Sequence, residues 1–214
     1  MAECRQSIGR DEPLQRPVPA VAAPCAETPR APACAALPGL DRSVVLVGLM
    51  GAGKTSIGRR LAAHLGLPFV DADQEIEHAA GCTIEDYFTR FGEAAFREGE
   101  RRVIARLLDE SPRVIATGGG AFMDASTRAA IAARGCSVWL KADLDTLYKR
   151  VRRRGNRPLL KGGDPRQVLA DLMERRYPVY AEAELTVESR DGPHEAVVED
   201  VLGVLRQRFG PCAA

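Results

Sequence analysis

The feature that most constrains the fold is a short apolar run that leads directly into a glycine-rich segment. Residues 44–47 read VVLV, and a run this short without polar alternation is typical of a strand buried on both faces. Residues 48–55, GLMGAGKT, follow at once and fit the pattern G-x-x-x-x-G-K-[ST]. A strand, a glycine loop and a helix in this order predict a phosphate-binding loop, because the exposed N–H groups and the helix N-terminus attract a phosphate chain.

Two side chains of this loop indicate nucleotide chemistry. Lys54 can reach the β- and γ-phosphates as a point charge, and Thr55 offers a hydroxyl to Mg²⁺. The alternative is a glycine-rich turn that precedes a helix and binds nothing. The apolar strand in front and the intact GKT favour the phosphate-binding interpretation.

Composition narrows the class of protein. The net charge of +1 over 214 residues gives no reason to expect nucleic acid or an anionic membrane as a partner, and no apolar run approaches the roughly 20 residues that span a bilayer. The six cysteines form no C-x-x-C pair. They are therefore expected to be free thiols in a reducing compartment, which favours a cytoplasmic location.

The N-terminal residues differ in composition from the rest. Seven of the 14 prolines fall between positions 13 and 38, among alanines and arginines. Proline removes backbone donors and prevents regular structure, so residues 1–40 are expected to form a disordered tail. Acidic residues balance its arginines, unlike an organelle presequence. A single domain over about 41–210 is predicted to follow.

The remaining chain alternates strand and helix signals, which predicts an α/β fold with a parallel sheet flanked by helices. Apolar runs predict strands near 68–70, 114–116, 137–140 and 185–187, and helical spacing predicts helices near 57–65, 76–81, 83 onward, 93–107, 125–134, 143–154, 165–176 and 193–209. Residues 155–165 are rich in glycine, proline and charge, which is typical of a mobile loop.

Ligands of such sheets bind beyond the carboxyl ends of the strands. Asp71 and Asp73 follow the second strand, and glycines 118–120 follow the third. One carboxylate could hold a metal-bound water, and the other could accept a proton from a substrate hydroxyl. A solvated turn or a helix N-cap by Asp73 is the alternative. The glycines predict a close approach to a ligand, with a flexible connection as the alternative.

Several arginines are further candidates. Arg97 and Glu100 share one helix face, where an ion pair could fix the guanidinium or merely form a surface salt bridge. Arg157 lies in the loop, from which it could cover a transferred phosphoryl group. Arg176 ends a predicted helix. The basic run at 150–154 fits either a solvated face or a nucleic-acid patch. The chain lacks an N-K-x-D signature, which favours a small-molecule kinase over a GTPase.

From about residue 43 to residue 209, the chain resembles the shikimate kinases. The resemblance rests on six motifs in this order: GLMGAGKT at 48–55, DAD at 71–73, FR at 96–97, GGG at 118–120, RPLL at 157–160 and RYPVY at 176–180. It implies a P-loop fold of the nucleoside-monophosphate-kinase type, with a mobile lid over about 152–165. The implied reaction is Mg²⁺-dependent transfer of a phosphoryl group from ATP to the 3-hydroxyl of shikimate, on the route to chorismate and the aromatic amino acids.

The resemblance also implies roles for individual residues. The shikimate-binding residues would be Asp73, Arg97, Gly119 and Arg176, with Phe88 and Phe96 on the apolar side. Those that bind ATP would be Gly51, Ala52, Gly53, Lys54, Thr55, Ser56, Arg150 and Arg157. Thr55 and Asp71 would hold Mg²⁺, and Lys54, Asp73 and Arg157 would be catalytic.

Two departures from the family pattern are small. Thr55-Ser56 stands where many relatives carry Ser-Thr, and the tail is longer than a minimal member needs. A kinase for another polyol acid such as gluconate is a nearby alternative. A non-catalytic ATP-binding regulator that uses the basic run on nucleic acid is a more distant one. The expected partners are shikimate and ATP, without nucleic acid or membrane, and the expected state is a monomer.

Overall fold

The computed structural model of the chain describes residues 37, 39–153 and 164–210. Within these residues a sheet of five parallel strands forms, in the order β2-β3-β1-β4-β5. The strands are β1 Ser43–Val47, β2 Phe69–Asp71, β3 Val114–Ala116, β4 Gly135–Lys141 and β5 Leu185–Glu188. The helices are α1 Lys54–Leu65, α2 Ala72–Ala80, α3 Ile84–Asp109, α4 Ala125–Arg134, α5 Leu144–Arg153, α6 Pro165–Tyr180 and α7 His194–Phe209, with a 3₁₀ turn at Ala121–Met123.

The apolar run at the start of the motif forms the central strand, as predicted. Every residue of β1 is buried, because β3 and β4 flank it and helices cover the sheet. Val45 pairs with Ile115 on one side and with Ser137 on the other. The predicted α/β fold with a parallel sheet is therefore confirmed.

The strand register brings the motifs to one edge of the sheet. Leu46 of β1 and Asp71 of β2 both pair with Ala116 of β3. Their carboxyl ends therefore lie at the same level. The phosphate loop, the aspartates and the glycines that follow these strands must meet there, although they are far apart in the sequence.

Helix α2 begins earlier than the apolar pattern indicated. It starts at Ala72 rather than near Ile76, and its N-cap is Asp71, whose side chain accepts a hydrogen bond from the N–H of Asp73. The alternative interpretation of Asp73 as a helix N-cap is therefore wrong by two residues, because the N-cap is Asp71. Helix α3 begins after Thr83 as expected, and its backbone is non-helical at Gly92, where a second helix had been predicted to start.

Helix α6 also differs from the prediction, because it continues past Arg176 to Tyr180 with Pro178 inside it. Proline lacks an N–H and disfavours helical geometry in the residue before it, so the sequence alone favoured an earlier end. The two tyrosines of the extra turn both contact other elements. The Tyr177 hydroxyl donates to the carbonyl of Ala142, and the Tyr180 hydroxyl donates to that of Gly119.

Several expectations fall on parts of the chain that lie outside the described residues. These are Arg157, nearly all of the predicted tail and positions 154–163 of the predicted lid. At the end of the tail, Leu37 and Leu40 pack against the core. Cys82 and Cys136, the cysteines within the described part, are both free thiols. No helix in that part is long and apolar enough to cross a membrane.

Candidate active site

A cavity of about 240 Å³ opens where the carboxyl ends of β1, β2 and β3 meet. Nine of the residues predicted to act in the site line it together: Gly51, Gly53, Lys54, Thr55, Asp71, Asp73, Arg97, Gly119 and Arg176. They come from five separate motifs. The structure therefore brings the candidate nucleotide-binding and substrate-binding residues into one space.

The phosphate loop has the backbone that its glycines predict. Gly48, Gly51 and Gly53 have φ angles of 139°, 85° and 94°, which side-chain-bearing residues rarely adopt. A Cβ atom at Gly48 would lie 2.8 Å from the carbonyl oxygen of Leu140. The Lys54 ammonium reaches back over the loop and donates to the carbonyl of Gly48 at 2.7 Å. This geometry places a positive charge beside the loop that would receive phosphates.

Thr55 and Asp71 form the candidate Mg²⁺ site. The Thr55 hydroxyl donates to Oδ2 of Asp71 at 2.8 Å. Among the described residues, no group of three or more His, Cys, Asp or Glu side chains could hold a metal ion. A hydroxyl and one carboxylate beside a phosphate loop nevertheless fit Mg²⁺, which keeps several waters and takes further ligands from substrate phosphates.

Asp73 lies against the glycines that follow β3. A Cβ atom at Gly118 would be 2.6 Å from Oδ1 of Asp73 and 3.0 Å from Oε1 of Glu100. Only glycine leaves room for these two carboxylates. Gly118 is therefore a point where side chains pack closely against the backbone, rather than a flexible connection. Asp73 is thereby held at the wall of the cavity.

Arg97 is fixed by a buried carboxylate. Its Nη1 atom lies 2.7 Å from Oε2 of Glu100, and its Nη2 atom lies 3.3 Å from Oε1 of Glu93. Burial raises the pKa of Glu100, and the hydrogen bond from Arg97 opposes that rise. Burial of Arg97 lowers its pKa, but the contacts with Glu100 and Glu93 outweigh this effect. The pKa of Arg97 is therefore raised. The pair is therefore more than the surface salt bridge that was its alternative interpretation.

Arg176 reaches the same cavity from α6. Its Nη1 atom donates to the carbonyl of Gly119 at 2.8 Å, and this contact ties the helix to the glycine segment. Phe88 and Phe96 give the cavity an apolar face, with stacked rings whose centroids are 4.4 Å apart. The cavity therefore combines two guanidinium groups, an ammonium and three carboxylates with an aromatic face.

Arg150 does not line this cavity but lies on the outer side of the phosphate loop. Its Nη1 atom donates to the Ser189 hydroxyl at 2.8 Å and to the carbonyl of Gly51 at 3.3 Å. The Ser189 hydroxyl in turn donates to the carbonyl of Ala52 at 2.8 Å. Ala52 is buried, and Ser56 is half-buried in the first turn of α1. Arg150 is thus engaged with the loop rather than displayed on an open basic face.

A family model for shikimate kinase matches residues 50–206. The chain belongs to the shikimate kinase family. Shikimate kinase from Paramagnetospirillum magneticum is 64% identical over 163 residues, which cover 76% of this chain and 84% of that protein. The enzyme from Caulobacter vibrioides is 61% identical over 166 residues, covering 78% and 83%.

Solved structures of the family have the same fold. Shikimate kinase from Acinetobacter baumannii, in complex with shikimate, superposes with a TM-score of 0.75 at 38% identity and covers 79% of this chain and 96% of that one. A gluconokinase from Sinorhizobium meliloti has a TM-score of 0.51 at 22% identity, with 82% and 95% covered, and shares the fold alone. The predicted membership of the family is confirmed.

Two buried hydroxyls around the site were not predicted to have a role. Tyr180 donates to Gly119, and Ser189 contacts both Arg150 and the phosphate loop. The spacing of Arg176 and Tyr180, four residues apart, could have indicated a shared helix face. No sequence signal marks Ser189, because its role depends on how the end of β5 meets the loop.

Proposed function

We propose that the protein transfers the γ-phosphoryl group of ATP to the 3-hydroxyl of shikimate, on the route to chorismate and the aromatic amino acids. The single observation that carries the proposal is the shared cavity. Lys54 and Thr55 of the phosphate loop line it together with Asp73, Arg97 and Arg176. Membership of the family supports the same activity.

The acceptor end of the cavity fits a small hydroxylated ring that carries a carboxylate. Arg97 and Arg176 are planar forks that suit bidentate binding of a carboxylate. Phe88 and Phe96 offer an apolar face to the ring. Asp73, which lines the cavity together with Asp71 and Glu100, would hydrogen-bond the ring hydroxyls. Gly119 admits the ligand close to the backbone.

The nucleotide end would be formed by the loop residues Gly51, Ala52, Gly53, Lys54, Thr55 and Ser56, with Arg150 beside them. Thr55 and Asp71 would hold Mg²⁺, with Asp71 acting through water. The ion supplies charge neutralisation on the phosphate oxygens when bound. Arg157 would add a further positive charge from the lid over about 152–165.

The transfer would be a direct in-line displacement. The 3-oxygen of shikimate forms a bond to the γ-phosphorus while the bond to the β,γ-bridging oxygen breaks, and ADP leaves. Asp73 orients the hydroxyl and accepts its proton. Lys54 and Arg157 stabilise the charge on the transferring group. Exclusion of water by the lid limits hydrolysis of ATP.

We assign this activity to a domain over residues 41–210 that follows the tail. We further propose a cytoplasmic monomer whose partners are small molecules, without nucleic acid or membrane. The net charge of +1 supports the absence of a polyanionic partner. The hydrogen bonds of Arg150 with Gly51 of the phosphate loop and with Ser189 also support the absence of a nucleic-acid partner.

The proposal is tested by ADP release from the purified protein with MgATP and shikimate, gluconate or no acceptor. We expect release that depends on shikimate and stays near the acceptor-free background with gluconate. ADP release with gluconate but not with shikimate would show that the substrate is a different polyol acid. A folded protein that binds ATP but releases no ADP with shikimate would contradict the proposed activity.

A further inference from the structure

Tyr180 is a polar residue inside the core, and its hydroxyl serves the glycine segment of the site. Its side chain is 1% exposed. The hydroxyl donates to the carbonyl of Gly119, which is the same oxygen that receives Nη1 of Arg176 at 2.8 Å. The positive charge of Arg176 also opposes the rise that burial causes in the pKa of the Tyr180 hydroxyl. Two side chains of α6 therefore meet at one carbonyl oxygen.

The geometry of α6 explains why these two side chains converge. Residues four apart lie on the same helix face, so Arg176 and Tyr180 both reach Gly119 only if α6 keeps its last turn. That turn contains Pro178, and the helix continues through it. A carbonyl oxygen has two lone pairs, and the two donors from α6 occupy both positions.

The phenol ring itself is held by aromatic neighbours. Its centroid lies 6.0 Å from that of Trp139, 6.2 Å from that of Tyr177 and 6.4 Å from that of Phe122. Burial raises the pKa of Tyr180, so the hydroxyl remains a donor at neutral pH. Packing of the ring fixes the position of the hydroxyl relative to Gly119 and Arg176.

We infer that Tyr180 is a positioning residue for shikimate, because it fixes the Gly119 peptide and the Arg176 guanidinium in the arrangement that receives the substrate carboxylate. The inference rests on the proposed function. Tyr180 does not line the cavity and acts through the two residues that do. Its loss should therefore weaken shikimate binding while ATP binding is retained.

Tyr177 provides a matched control on the same helix. Its hydroxyl also donates to a backbone carbonyl, that of Ala142, away from the glycine segment. Tyr180→Phe and Tyr177→Phe each remove one hydroxyl and keep the ring. We expect Tyr180→Phe to raise the KM for shikimate about three- to tenfold, the effect of one lost hydrogen bond. The KM for ATP should stay within about twofold, and Tyr177→Phe should leave both constants near wild type.

A second pair of variants shows whether Tyr180 acts through Arg176. In an Arg176→Lys background the guanidinium is already lost, so adding Tyr180→Phe should raise the KM for shikimate by a smaller factor than it does in the wild type, through Gly119 alone. Equal KM values for the two phenylalanine variants, or the same factor in both backgrounds, would overturn the inference. Wild-type protein without shikimate-dependent turnover would instead overturn the proposed function.

A conservative replacement covers the case in which Tyr180→Phe does not fold. 4-Aminophenylalanine at position 180 keeps the ring and a para donor for the carbonyl of Gly119. We expect a KM for shikimate within about twofold of the wild type, with the KM for ATP unchanged. A KM for shikimate raised as far as the loss of the hydrogen bond would raise it would contradict the assigned role.

Discussion

Nη1 of Arg97 lies 2.7 Å from Oε2 of Glu100, and the Glu100 side chain is only 4% exposed. Burial raises the pKa of Glu100, and the nearby carboxylates of Asp73 and Asp124 raise it further, while Arg97 lowers it. The Arg97 guanidinium therefore lines the cavity while it pairs with a buried carboxylate of the same cavity.

Replacing Arg97 by Ala should weaken shikimate binding and destabilise the protein in a pH-dependent way. The substrate carboxylate would lose a charge-assisted partner worth on the order of 2 kcal/mol, so we expect the KM for shikimate to rise at least about tenfold. Glu100 would lose the contact that lowers its pKa. Steady-state kinetics and urea unfolding measure the two effects.

The sign of the pH effect follows from the raised pKa of Glu100. A folded state with the higher pKa binds more protons than the unfolded state, so its stability is greatest below the ordinary carboxyl pKa of 4.5 and falls as pH rises through the folded pKa. The stability deficit of Arg97→Ala should thus be larger at pH 8 than at pH 5. Adding Glu100→Gln should remove this difference. A deficit independent of pH would contradict the burial of an uncompensated carboxylate.

Asp73→Asn should abolish most turnover while MgATP binding persists. Asparagine keeps the shape and a hydrogen-bonding oxygen but cannot take the proton of the 3-hydroxyl, and we expect a loss of about 10²-fold or more in kcat. Single-turnover kinetics and calorimetric titration with ATP separate the two effects. Near-normal kcat in this variant would remove Asp73 from its proposed role.

Gly120→Ala should act on shikimate without unfolding the protein. A Cβ atom there would lie 2.6 Å from Nη1 of Arg97, so the guanidinium would have to shift from its position beside Glu100. We expect a higher KM for shikimate and a decrease in melting temperature no larger than that of Arg97→Ala. Gly203→Ala is the control, because its Cβ meets nothing within 4 Å in helix α7. An unchanged KM in the Gly120 variant would show that the position of Arg97 is not critical.

Ser189→Ala should weaken ATP binding selectively. The buried hydroxyl accepts from Arg150 and donates to Ala52 of the phosphate loop, so its loss removes one hydrogen bond from each. We expect the KM for ATP to rise about tenfold, as for hydrogen bonds to a charged group, with the KM for shikimate unchanged. Ser137→Ala is the control. It removes another buried hydroxyl, which among the described hydrogen bonds accepts from the N–H of Glu184. This variant should leave the KM for ATP and the KM for shikimate unchanged. A change in the KM for shikimate, with the KM for ATP unchanged, would indicate that Ser189 supports the binding of shikimate rather than of ATP.

Much of the architecture could be predicted because local patterns and packing agree. The run at 44–47 favoured a buried strand, which it forms, and the glycines of the loop after it adopt positive φ angles. Parallel strands then forced Asp71, Asp73 and the glycines 118–120 to one edge. Nine of the site residues named from the motifs accordingly line one cavity.

The features that were missed depend on contacts between distant segments. The last turn of α6 contains Pro178 and ends at Tyr180, whose buried side chain finds a carbonyl partner in another element. The burial of Glu100 depends on Gly118 being small enough to approach it. Helix periodicity alone cannot distinguish such a carboxylate from a solvated one.

The most direct measurement is the position of the transferred phosphate in the product. Shikimate labelled with ¹³C is incubated with the protein and MgATP, and the ³¹P–¹³C couplings of the product are recorded by NMR. The account predicts stoichiometric ADP and a phosphoryl group on the oxygen at C3, with couplings to C3 and its ring neighbours. Phosphate on another oxygen, or free phosphate with unchanged shikimate, would contradict it.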